Sequence, residues 1–138
     1  MIPAVALRYD IDPAQRLVVI TGEYADAVEW QQLLAALLND PRREPGLAFL
    51  RDLRGGGTPV DASTVVDIVT VVRRFWPLFQ PSRAAIVTAN PLDTAALVAH
   101  ALADSQGLPI ELFTSYDAAL EWLFSNEPPR HPRSASYS

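Results

Sequence analysis

Cysteine and lysine are both absent from this chain of 138 residues, and histidine occurs only twice. Without cysteine there is no disulfide framework, no thiolate zinc site and no thiol nucleophile. Without lysine there is no Schiff-base chemistry and no lysine base, and all 11 basic residues are arginine. His100 and His131 are far apart, and neither sits in a metal-ligand spacing. No apolar run approaches the ~20 residues that span a bilayer. The opening segment has no basic stretch followed by a long apolar one, so no secretory signal is expected and a cytoplasmic location is. The net charge of −5 argues against binding nucleic acid by attraction to its phosphates. Neither a cofactor nor a metal is expected.

About half of the residues are hydrophobic and a fifth are charged, enough for a sizeable core in one domain. That domain is expected over residues 1–124, followed by a flexible Pro- and Ser-rich tail over 125–138. Val5 to Tyr9 and Arg16 to Thr21 have strand character, and Asp10 to Pro13 supply turn residues, so an antiparallel hairpin is expected. Asp26 and Glu29 are spaced as a capping box. Trp30, Leu33, Leu34, Leu37 and Leu38 then mark one face of a helix. Gly46 to Asp52 is apolar enough to be a buried parallel strand.

Residues 64–72 are rich in β-branched side chains, which favour strands. Yet Ser63, Asp67, Thr70 and Arg74 form a polar stripe of helical period, so a helix is expected from Asp61 to Trp76. Arg83 to Thr88 reads as another buried strand. Asn90 and Pro91 read as the cap and first residue of an Ala-rich helix that Gly107 stops. Pro109 to Phe113 is a short strand, and Ser115 can cap a helix over Tyr116 to Phe124. The order ββαβαβαβα implies an α/β fold, with a mainly parallel sheet, an antiparallel edge hairpin and four helices.

Three stretches carry a family likeness: Leu50 to Leu53, Ala84 to Pro91, and Leu112 to Leu123 with its Ala-x-x-Trp-Leu ending. On these the chain resembles the SpoIIAA-like family of small bacterial proteins, whose plan is that of the STAS fold. The resemblance implies a non-enzymatic regulatory or protein-interaction module, with apolar ligand binding and membrane association as further properties. In STAS antagonists a Ser or Thr at the start of the second helix accepts phosphate. Here that segment is Asp61-Ala-Ser-Thr-Val65: Ala62 replaces the first Ser and the Gly is missing, which leaves Ser63 and Thr64 as the candidate acceptors. A helix N-terminus stabilises an added phosphate.

Other candidates come from the residues themselves. Arg54, Gly55, Gly56 and Gly57 precede a helix and can form an anion site, although the P-loop ending is absent. Asp52, beside Arg54 at the end of a parallel strand, is where an enzyme of this class would place a carboxylate. Val65, Val66, Ile68, Val69, Val71 and Val72 exceed what one sheet face needs, and Phe75, Trp76 and Phe79 follow as an apolar cluster that either closes the core or forms an exposed patch. With Ala95, Ala99 and Leu102 of the next helix they suggest an apolar surface for a hydrophobic or lipid-like molecule, a protein partner, a second copy or a membrane surface. The same alanines are also compatible with close helix packing.

Overall fold

A computed structural model describes residues 7–22, 26–55, 61–79 and 82–125. The anticipated tail from 126 onward, the first strand residues Val5 and Ala6, and Gly56 and Gly57 lie outside the described residues.

The chain opens with β1 (Arg8–Asp12) and β2 (Leu17–Thr21), paired antiparallel. The turn falls at residues 13–16, three positions later than the sequence suggested. Ile11 is buried opposite Val18, which draws Asp10 to Asp12 into the strand. The Asp12 carboxylate accepts from the Gln15 backbone N–H, and Arg16 takes a left-handed φ of 55° to close the loop.

Helix α1 (Ala27–Leu38) starts at Asp26, whose carboxylate accepts from the Glu29 N–H at 2.8 Å. The reciprocal half of a capping box is missing, because Glu29 Oε2 is buried without a hydrogen-bond partner among the described residues. Trp30, Leu33, Leu34 and Leu37 are buried, as their spacing requires. Strand β3 (Ala48–Asp52) follows and pairs parallel with both neighbours.

Helix α2 (Ala62–Phe75) forms despite its β-branched residues, with Asp61 as cap and the stripe Ser63, Asp67, Thr70, Arg74 exposed. A single 3₁₀ turn, Trp76–Leu78, ends it at Pro77. Strand β4 (Ala84–Val87) leads to α3 (Thr94–Ser105), which begins later than Asn90. Asn90 spends its side chain on the Leu92 N–H in a preceding turn, and Asp93 caps the helix through the Ala96 N–H. Strand β5 (Ile110–Phe113) and α4 (Tyr116–Leu123), capped by Ser115, complete the fold.

The strands lie in sequential order, β1-β2-β3-β4-β5, in one mixed sheet. Right-handed crossovers that always step in the same direction place their helices on the same face. Accordingly α1, α2 and α3 form one layer, and α4 covers β3 to β5 on the other face. Among the described strands the order never reverses, so they form no crevice of the kind that holds ligands in doubly wound folds.

Two cores result. The larger joins Val18, Ile20 and Phe49 to the three helices; the smaller joins Leu17, Leu50, Ala85 and Val87 to Trp122 and Leu123. Within the aromatic segment after α2, Trp76 and Phe79 are buried against Phe49, at ring centroid distances of 5.9 and 5.3 Å. Leu78 points away and is 58% exposed. These aromatics therefore close the core of a single chain.

Candidate functional site

Small side chains decide where the molecule is hollow. On α3, Ala95, Ala96, Ala99 and Ala103 share a face, and on β4 the floor beneath them is Ala84. Facing them on α2 are Val65, Ile68, Val69 and Val72. Both rows line the same space, and Trp76 and Phe79 pack against Phe49 of the sheet at one end. A cavity of about 560 Å³ remains among α2, α3 and the sheet. Protein cores hold few voids larger than a water molecule, whereas ligand pockets fall in this size range.

The cavity is polarised along its length. In a parallel α/β layer the helix N-termini and the strand C-termini lie at one end. There the wall holds the polar residues Arg51, Thr88, Asn90 and Asp93 beside Leu53, Ala89 and Leu92. At the other end it consists of Trp76, Phe79, Ala84, Ala103 and Ile110. Leu92 lines the cavity while being 77% exposed, which places the mouth at the loop between β4 and α3.

Arg51 is the cation of this site. It shares the three-helix face of β3 with Phe49, while Leu50 between them points to the other face. Its guanidinium donates to the carbonyls of Ile20 at 3.3 Å and Gly22 at 3.1 Å, and lies 5.6 Å from the Trp30 ring centroid. Burial pushes its pKa down to about 10, against a weak opposing pull from the Asp52 charge. No carboxylate forms an ion pair with it among the described residues. The acid of the cavity, Asp93, is engaged elsewhere: it accepts from the Ala96 N–H at 3.1 Å and the Thr88 hydroxyl at 3.3 Å.

Of the residues singled out from the sequence, Val65, Val69, Val72, Trp76, Phe79, Ala95 and Ala99 line the cavity. Phe75 and Leu102 pack against the same core without lining it. Asp52 and Arg54 lie apart, on the α4 side of the sheet. Asp52 accepts from the Arg54 backbone N–H, Nε and Nη2 at 3.0, 3.0 and 2.9 Å, and these bonds hold its carboxyl below the usual carboxylate range. Arg54 also rests 4.4 Å from the Tyr116 ring centroid. A general base needs a raised pKa and a free lone pair, and here the shift runs the other way.

Ser63 donates to Asp61 Oδ1 at 2.8 Å, and the Thr64 N–H donates to the same oxygen. A carboxylate thus already occupies the N-terminus of α2. A phosphate on Ser63 would stand beside that carboxylate. His100 Nε2 lies 3.3 Å from Glu111 Oε1, outside the cavity wall. No group of three metal-ligating side chains occurs among the described residues. No helix among them is long and apolar enough to cross a membrane.

Arg51, Trp30 and Asp93 were not among the residues that the sequence assigned to the apolar site. A signal for Arg51 was present: a lone charge in an apolar strand, at the same parity as Phe49, faces the same side of the sheet as Phe49. No family model matches the chain, and neither a curated protein nor a solved structure matches it.

Proposed function

We propose that this protein is a non-enzymatic binding protein, a carrier or sensor of a small hydrophobic molecule held between α2, α3 and the sheet. The single observation that supports this most is the apolar cavity of about 560 Å³ with its mouth at Leu92. An empty space of that size forfeits the dispersion contacts of its lining, a cost that a bound apolar molecule would offset. Native mass spectrometry of protein purified without detergent, with a denatured control, tests the reading. Extra mass that is lost on denaturation is expected. A bare chain that also fails to take up an added apolar dye would refute it.

A second reading is a STAS-like interaction module, as the resemblance to the SpoIIAA-like family implies. The element order and the sequential strand order support it. So do the exposed apolar side chains Val66 on α2, Leu97 on α3 and the mouth residue Leu92, available for contact with a protein, a second copy or a membrane. Sedimentation of the full chain with and without lipid vesicles separates these occupants. A monomer that ignores vesicles and has no partner removes this reading.

A further inference from the structure

The inference that follows rests on the binding reading above and names its ligand class. We propose that the cavity takes an amphipathic carboxylate, its head on the Arg51 guanidinium and its aliphatic chain running toward Trp76 and Ile110.

Three observations carry this. First, Arg51 is a partly buried charge in the cavity wall with no anionic partner among the described residues. Unpaired buried charges are costly, and natural proteins retain them where something completes the pair. Second, the guanidinium has hydrogen-bonding capacity to spare. It carries five N–H donors, of which two are assigned, to Ile20 O and Gly22 O. Those two bonds and the Trp30 ring fix its plane, so the remaining donors are already oriented and a carboxylate would find a rigid fork. Third, the wall changes from polar to apolar along the strand direction. From Thr88 to Ala84 it runs about 13 Å, at roughly 3.3 Å per residue. A ligand with one charged end and one apolar end satisfies both ends of the cavity at once.

The charge count selects a carboxylate over a phosphate monoester. Among the described residues a single cation lines the cavity, and Asp93 stands in the same polar end. A dianionic head would leave one charge unmatched in a low-dielectric site and would face Asp93.

The test compares three probes on the full chain by isothermal titration calorimetry: decanoate, decanol and decyl phosphate, each below its self-association concentration. Decanoate is expected to bind about 10- to 100-fold more tightly than decanol, the worth of one charge-assisted bond. Decyl phosphate is expected to bind more weakly than decanoate. Arg51→Gln should abolish the preference for decanoate over decanol, and Arg51→Lys should restore part of it. An unchanged circular dichroism spectrum and urea midpoint show that the variant is folded. If Arg51→Gln does not fold, the wild-type ranking and its loss in high salt decide the matter.

Equal affinity for decanoate and decanol in the wild type would overturn the head-group assignment and leave the apolar-cavity reading standing. Tighter binding of decyl phosphate would overturn the choice of carboxylate. Failure of all three probes to bind would overturn the binding reading itself.

Discussion

Ala99→Leu separates a real hollow from two closely packed helices by the sign of one measurement. Ala99 sits on α3 in the cavity wall, opposite the valines of α2. Leucine adds three carbons there. If the space of about 560 Å³ is empty in the free protein, those carbons are buried without displacing anything. At about 0.8 kcal/mol per buried methylene the upper limit is ~2 kcal/mol of stabilisation. The small loss of helix propensity takes back a few tenths. If instead α2 and α3 pack tightly, the same carbons force strain of about 1–3 kcal/mol. Ala119→Leu is the matched control: Ala119 is fully buried in the α4 core and does not line the cavity. Identical chemistry on a helix should therefore destabilise at 119 and stabilise at 99. Urea unfolding reads both, provided the slope with denaturant stays constant so that the midpoint reports stability. Destabilisation by Ala99→Leu of 1 kcal/mol or more, matching Ala119→Leu, would refute the reasoning.

Trp76→Ala should cost about 3–5 kcal/mol, whereas Leu78→Ala, two residues on, should stay within about 0.5 kcal/mol; thermal unfolding of both checks that the aromatic segment is core at one position and surface at the other. Ser115→Ala should cost about 1 kcal/mol by removing the acceptor for the Ala118 N–H at the start of α4, again read by unfolding. Asp52 has a folded-state pKa below its ordinary value of 3.8, so its contribution to stability is present above that value and is lost as pH falls through the lower folded value. Arg54→Ala should bring the Asp52 titration, followed by carbon NMR of its carboxyl, back up toward the ordinary range and flatten stability in that acid window.

Much of this architecture was written in local signals. The polar stripe of α2 outweighed its β-branched propensity because Ser63, Asp67, Thr70 and Arg74 all had to face water. The hairpin, the parallel strands and the caps at Asp26 and Ser115 were legible for the same reason: each depends on neighbours in sequence. The start of α3 was less so, since Asn90 and Asp93 both have cap chemistry and only the turn that Asn90 makes with Leu92 decides between them. The number of helices on each face was open until the strand order was known. The cavity itself was half legible. Its walls could be named, but an alanine row fits a cleft or a tight contact equally well. The choice depends on how far apart Trp76 and Phe79 hold the layers, a distance between elements rather than within one.

The sheet divides the hydrophobic interior into two cores that share no side chain. The cavity between α2 and α3 lies in one of them, and of the other, around Trp122, Leu123 and Leu50, only Ala85 reaches its wall. Substitutions that resize the alanines and valines of α2 and α3 change what fits in the cavity without touching strand register or the seat of α4. The same backbone can thus be retuned from one guest to another by exchanging a few methyl groups on two helices. The packed face meanwhile keeps the chain folded while its opposite face diversifies.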